Sequence, residues 1–389
     1  MPRGWFNVTM STAEPAFADP LHVGRPNILD RDAFLAHVHG ALDRVWLSNH
    51  GPLVQELERR LAALLGVRHC VTTSNGTMGL ELAIRALGLS GEVIVPSFTF
   101  IATVHALHRQ GITPVFADVD PATHCIDPAA AARLVTPRTT GILAVHLWGR
   151  AAAVDQLQTV ADEHGLALLF DAAHAFGATV GERPVGTFGR AEVMSFHATK
   201  FFHTIEGGAV VTDDDDLAQT VRLMRNFGFT GEDAVAGEGT NGKLNEVCAA
   251  MGLANLARLD DILAVNRRNH DAYARELRGI PGISVLDPPV AGRTNHQYVV
   301  MLVGPEAGAS RDEVLARLRA ENVLARRYFW PGAHRMEPYR TLQPDVGSRL
   351  PMTERIAQQV VVLPTGTGVD EADIAVIARI IRDAAGAAA

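Results

Sequence analysis

The stretch Leu166-Ala167-Leu168-Leu169-Phe170-Asp171-Ala172-Ala173-His174-Ala175-Phe176-Gly177 decides the fold. Its first five residues are apolar without interruption. That run is short for a helix and lacks the polar alternation of a half-wet sheet, so it reads as a strand buried on both faces. It ends on an acid, and glycine punctuates it at Gly165 and again at Gly177.

The same unit recurs on either side. His69–Thr72, Glu92–Val95 (closed by Pro96), Val115–Ala117, Gly141–Leu147, Glu192–Phe196 and Ala209–Thr212 also read as strands. Between them, Leu80, Ala83, Ile84 and Leu87 form one face of a helix. A second helix runs from about Phe100 to near Gly111, and Val154, Leu157, Val160 and Ala161 mark a third. Apolar strands alternating with amphipathic helices predict an α/β fold with a mostly parallel sheet covered on both faces. In such sheets ligands sit beyond the strand ends. After about Asp260 the pattern changes. One long helix is expected over Glu246–Arg275, then strands near Ile283 and over Tyr298–Val303, and a helix over Arg311–Asn322. The division expected is a flexible N-terminal arm (1–20), a large domain (21–260) and a smaller α+β C-terminal domain (261–389).

Composition narrows the function. With 389 residues, 47% of them hydrophobic, the chain can bury a large core. A net charge of -8 argues against a nucleic-acid-binding surface. Three scattered cysteines, Cys70, Cys125 and Cys248, suggest neither a metal knuckle nor a disulfide framework, and a cytoplasmic setting is expected. No segment has the apolar length of a signal peptide or a membrane span. The acidic run Asp213–Asp216 reads as a turn and an acidic helix start rather than a metal site. Of the 35 basic residues only Lys200 and Lys243 are lysines. That scarcity raises the functional standing of both.

Four polar motifs follow strands. Ser74-Asn75-Gly76-Thr77-Met78 enters a helix, where glycine and free N–H groups can cradle a phosphate; many ordinary turns look the same. Asp171 ends a buried strand and needs a partner, for which a protonated pyridine nitrogen is suited, although a helix N-cap is the plainer alternative. Ser195-Phe196-His197-Ala198-Thr199-Lys200 brings a lysine to a strand end, where partial desolvation would lower its pKa and let it react with an aldehyde. Glu206-Gly207-Gly208 makes a tight turn after it.

In this order and spacing, the motifs resemble those of the DegT-type (DegT/DnrJ/EryC/StrS) pyridoxal-phosphate (PLP)-dependent sugar aminotransferases, from about Leu47 to Pro364. Gly51-Pro52, Val95-Pro96-Ser97-Phe98-Thr99-Phe100, His146-Leu147-Trp148-Gly149 and Gly239-Thr240-Asn241-Gly242-Lys243 extend the resemblance. It implies an aspartate-aminotransferase-like fold (PLP fold type I) and a homodimer with shared active sites. It also implies amino transfer from L-glutamate to a nucleotide-linked keto-deoxysugar, most closely a dTDP-4-keto-6-deoxyhexose, in deoxysugar and antibiotic biosynthesis.

The resemblance assigns roles residue by residue. Lys200 anchors the cofactor covalently and shuttles the proton. Asp171 pairs with the pyridine nitrogen, and His174 faces the ring where many relatives have glutamine. Phe100 stacks on its open face. Gly76, Thr77 and Ser195 hold the phosphate. Asn241 and Lys243 reach the partner's site. Arg326, Tyr328 and His334 are candidates for the nucleotide sugar, with domain packing as the alternative. His197 and His203 read as structural.

Rival readings separate on single features. A sugar dehydratase of this family carries histidine where Lys200 stands. A nicotinamide dehydrogenase needs a Gly-x-Gly-x-x-Gly turn, which is absent here. A non-catalytic regulator on this fold is expected to have lost Lys200 or Asp171. A 3-keto sugar or a keto-cyclitol remains an alternative acceptor.

Overall fold

A computed structural model describes residues 14–288 and 291–386. Its largest sheet has seven strands: β1 (His69–Thr73), β2 (Glu92–Pro96), β3 (Thr113–Ala117), β4 (Thr139–Val145), β5 (Ala167–Asp171), β6 (Ala191–Ser195) and β7 (Gly208–Thr212). They lie in the order β1-β7-β6-β5-β4-β2-β3. All neighbours from β6 to β3 pair in parallel, whereas β7 is antiparallel to both β1 and β6. The six other strands therefore end on one edge, and β7 starts there.

The continuous apolar runs have a direct structural cause. Side chains alternate across a strand, and here both faces are covered. Ile142, Ala144, Leu168, Phe170 and Met194 enter the core on one face, with Leu57 and Leu61 of helix Pro52–Leu65 and Leu157 of helix Val154–His164. Leu143, Leu169, Val193 and Val210 enter the core on the other, with Leu80 and Ala83 of helix Gly76–Ala86 and Leu107 of helix Ile101–His108.

The C-terminal part builds a smaller antiparallel sheet from Ile283–Val285, Val299–Val303 and Val360–Leu363. Helices Leu259–Glu276, Arg311–Ala320 and Glu371–Ala384 pack their apolar stripes onto it.

Two expectations need correcting. The long helix expected over Glu246–Arg275 is two helices, Glu246–Leu256 and Leu259–Glu276. Arg258 leaves helical geometry, and its guanidinium bonds Asp261 across the first turn of the second helix. The N-terminal segment is also not free where it is described. Ala16 N–H donates to Glu321, Asn322 donates to the Phe17 carbonyl, and Leu21–His22 pairs in parallel with Val323–Leu324. Phe17 and Leu21 pack into the core of the smaller sheet, whose apolar surface needs that cover. Met1–Ala13 lie outside the described residues.

The acidic run behaves as expected. Asp214 caps helix Asp215–Met224 and Asp215 bonds Arg68 and His69, so the run forms the turn and acidic helix start read from the sequence.

Leu61 is fully buried between helix and sheet. Leu61→Ala should lower the unfolding free energy by about 2–5 kcal/mol, read from urea denaturation. A change under about 1 kcal/mol would mean that this face of the sheet is not close-packed.

Candidate active site

The strand ends converge on a cavity of about 660 Å³. Each wall is supplied by a different strand exit. After β1, Asn75 caps helix Gly76–Ala86 by accepting the Met78 N–H at 2.8 Å. The N–H groups of Gly76 and Thr77 in that first turn have no acceptor within the helix and can receive an anion. Glycine is required here by crowding: a Cβ on Gly76 would lie 2.9 Å from Ser195 Cβ, and one on Gly208 would lie 2.7 Å from Gly76 N. Ser195, at the end of β6, closes the same corner.

Asp171 ends β5 at the bottom of the cavity. It is buried, and it accepts bonds from the Thr103 hydroxyl (2.7 Å, Oδ2) and the Ala173 N–H (3.0 Å, Oδ1). Thr103 spends its proton on Asp171, so Thr99 must be the donor in the 2.9 Å Thr99–Thr103 contact. Burial pushes the Asp171 carboxyl above its ordinary range, and these two bonds and Lys200 pull it back. The carboxylate forms no salt bridge among the described residues, so a cationic ring nitrogen would meet an unmatched charge there.

Lys200 follows β6. Its Nζ lies 6.0 Å from the centre of the Tyr298 ring. Its side chain is partly accessible from the cavity but crowded by protein, and this desolvation lowers its pKa to about 8, against the opposing pull of Asp171 and Tyr328. A fair share of the amine is therefore neutral near neutral pH and can act as nucleophile or base.

His174 is buried and stacks with Trp148 (6.2 Å between ring centres, 27°) and Phe329 (5.8 Å, 19°). Burial and the nearby Lys200 hold it well below its ordinary pKa, so it is a neutral ring. Its Nδ1 has no hydrogen-bond partner among the described residues. Phe100 projects into the opening with 57% of its surface exposed, an unusual cost for a phenyl ring unless something covers it.

The structure thus brings Gly76, Thr77, Phe100, Asp171, His174, Ser195, Lys200 and Tyr328 around one cavity. It does not bring Asn241, Lys243, Arg326 or His334 to that wall. Lys243 bonds Asn226 at 2.9 Å on a separate basic face with His50, Arg222 and Arg225, and Asn241 bridges Asn226 through the backbone. Arg326 stacks on Tyr328. His334 is buried against Ser97 and Glu354. Of the two histidines near the lysine, His203 is structural, bonded to the Asn27 carbonyl, whereas His197 reaches the cavity rim, 3.4 Å from Glu206.

Sequence reading missed Thr103, Trp148, Tyr298 and Phe329. Thr103 offered one signal: it stands four residues after Thr99, one helical turn, behind a strand exit. Tyr298 offered none, and Phe329 stood only within the segment of cations and aromatics from Arg326 to Pro331; the place of both depends on how the C-terminal part docks.

The chain belongs to the DegT/DnrJ/EryC1/StrS aminotransferase family, whose pattern it matches over residues 29–382. It is therefore an aminotransferase. It is 32% identical over 360 residues to a dTDP-4-amino-4,6-dideoxy-D-glucose transaminase of Escherichia coli, spanning 92% of this chain and 97% of that one. It is 37% identical over 345 residues to a GDP-perosamine synthase of Caulobacter vibrioides, spanning 87% and 91%. Among solved structures it is 52% identical to DesI crystallised with its TDP-sugar product (TM-score 0.91, 95% and 94% covered). Solved relatives of this kind have PLP fold type I, and the α/β architecture seen here, with its large, mostly parallel sheet and covering helices, is the same.

The lowered pKa of Lys200 can be tested directly. Its rate of modification by an amine-selective acylating reagent, followed by peptide mapping, should reach half-maximum near pH 8. Asp171→Asn removes a charge that favours the protonated amine, so the midpoint should move lower still. A midpoint near that of an ordinary lysine would contradict the desolvated site.

Proposed function

We propose that the protein is a PLP-dependent aminotransferase that moves the amino group of L-glutamate onto the ketone of a nucleotide-linked deoxysugar, a dTDP-4-keto-6-deoxyhexose. The observation that carries this reading is the placement of Lys200, Asp171 and the Gly76–Thr77 turn on three walls of one cavity. The similarity to DesI and to two sugar-nucleotide enzymes supports the substrate class.

The residues present fit the cofactor. The N–H groups of Gly76 and Thr77, with Ser195, would hold its phosphate; Asp171 would hold its ring nitrogen protonated; His174 and Phe100 would flank its ring. When bound, PLP supplies an electron sink that lets a proton leave the amino-bearing carbon. Asp171 would hold the proton on the ring nitrogen and so maintain that sink. Lys200, with its pKa near 8, releases and accepts the proton between the amino-bearing carbon and its own Nζ. Tyr298 and Phe329 also line the cavity, Tyr298 with its ring centre 6.0 Å from Nζ, and would limit the water around Nζ.

The active unit proposed is a homodimer in which Asn241 and Lys243 serve the partner's cavity. Their position away from the chain's own cavity supports this, as do the exposed apolar residues Leu42, Val45, Trp46 and Leu47, which lie next to the start of helix Glu246–Leu256. No helix among the described residues is long and apolar enough to cross a membrane, and a cytoplasmic enzyme is proposed.

Purified protein mixed with PLP should develop an absorbance band at the violet edge, and borohydride should trap the cofactor on Lys200 in peptide maps. Lys200→Ala should remove the band and reduce amino transfer from L-glutamate to a dTDP-4-keto-6-deoxyhexose to background, with the melting temperature little changed. Steady transamination by that variant, or trapping on Lys243, would overturn the assignment.

A further inference from the structure

Ser97, His334 and the half-buried Glu354 form a line that the proposed chemistry does not use. Ser97 and His334 are closed to solvent at 0% and 3% exposure. Ser97 Oγ lies 2.6 Å from His334 Nδ1 and also accepts the His334 backbone N–H at 3.0 Å. On the far side of the ring, His334 Nε2 lies 2.7 Å from Glu354 Oε1, which also receives Arg335 Nε at 2.6 Å.

The proton positions follow from counting donors. Burial raises the Glu354 carboxyl, but the bonds from Arg335 and His334 outweigh it and hold it below its ordinary range, so it is ionised and can only accept. Nε2 therefore carries the proton. Burial keeps the ring neutral, leaving Nδ1 as an acceptor for the Ser97 hydroxyl. The Ser97 hydroxyl and both ring nitrogens of His334 are satisfied in this single tautomer.

What the line joins gives it a role. Ser97 opens the loop that carries Thr99 and Phe100, and Thr99 supports Asp171 through Thr103. His334 closes the segment that carries Tyr328 and Phe329, and Ala333 N–H donates to the Ser97 carbonyl beside it. Phe98 of the loop meets Phe329 edge-on at 5.9 Å, and Phe100 meets it at 6.4 Å. The two aromatic walls of the cavity are thus pinned to one another behind the reacting groups, and no other side-chain hydrogen bond among the described residues links these two segments.

We infer that His334 is a positioning residue for amino transfer: as a neutral imidazole bridging Glu354 to Ser97, it locks the Tyr328–Phe329 wall onto the Phe100 loop and so fixes the cavity's width. Its side chain does not line the cavity, so it would act through the residues that do. The inference rests on the cavity being the site of amino transfer.

The ring offers two positions that can be replaced separately. Asparagine places an amide oxygen where Nδ1 stands and preserves the bond from Ser97. Glutamine places its amide near Nε2, preserves the bond to Glu354 and abandons Ser97. The test compares Ser97→Ala, His334→Gln, His334→Asn and the Ser97→Ala/His334→Gln double variant, each as the PLP-loaded enzyme. Readouts are kcat/KM for the keto-sugar and the melting temperature without substrate. Ser97→Ala and His334→Gln should each lower kcat/KM roughly tenfold, the scale of a misplaced wall. Ser97→Ala also gives up the His334 backbone N–H bond, so the double variant should be no worse than Ser97→Ala alone, because the ring bond that His334→Gln removes is already gone. His334→Asn should recover most of the loss, with all melting temperatures close to that of the parent.

Multiplying effects, or an asparagine variant as poor as the glutamine one, would overturn the inference, as would losses that track melting temperature. If His334→Gln does not fold, Ser97→Ala, which deletes one oxygen, decides alone: parent-like kcat/KM overturns the lock. A parent chain without amino-transfer activity overturns the reading of the cavity and this inference with it. An active parent matched by Ser97→Ala overturns the lock alone.

Discussion

The structure depends on keeping the Asp171 carboxylate charged at the end of a buried strand. Moving a carboxylate out of water costs several kcal/mol even after the protein relaxes around it. Here the cost is offset by the Thr103 hydroxyl, the Ala173 N–H and the neighbouring lysine, and the carboxyl still sits above its ordinary range. Its surroundings are arranged around that burden. Thr99 supports Thr103, Ser97 starts the loop that carries Thr99, and His334 holds Ser97. A line of small hydroxyls thus runs from Asp171 toward the segment that carries His334.

Lysine 200 and Asp171 temper one another. Burial disfavours the charged form of each, while each charge favours the other. The lysine gains a pKa near 8, and the acid gains a cationic neighbour without a salt bridge to it. A direct ion pair would have fixed the lysine as an ammonium group and removed its basicity. The separation between strand exits β5 and β6 lets the two charges sense one another without pairing. Histidine 174, neutral for the same reason of burial, adds a flat polarisable surface and no further charge.

Much of the sheet could be read from sequence, because strands buried on both faces carry continuous apolar runs. Leu166–Phe170 is the clearest case. The cavity wall contributed by those strands was legible too: Gly76, Asp171, Ser195 and Lys200 all lie within a few residues of a strand end. The wall contributed from a distance was not. Tyr298 and Phe329 reach the cavity only through the docking of the smaller domain, and local periodicity carries no trace of that. Arg326, Tyr328 and His334 look alike as candidates in one short segment, but only the fold separates them: Tyr328 lines the cavity, Arg326 stacks on it and His334 turns inward to Ser97. The break at Arg258 was hidden because alanine-rich and acidic flanks favour helix on both sides.

The antiparallel strand β7 has a consequence for how the chain is made. It lies between β1 and β6, so the Gly76 turn gains its floor only when Gly208 comes to lie beside Thr73. As the chain emerges from the ribosome, β1 has no partner in the sheet until the lysine segment and the strand after it have both been synthesised. The Gly76 turn and the Lys200 segment therefore mature in one late event, and a chain interrupted before β7 would expose an unpaired apolar strand edge.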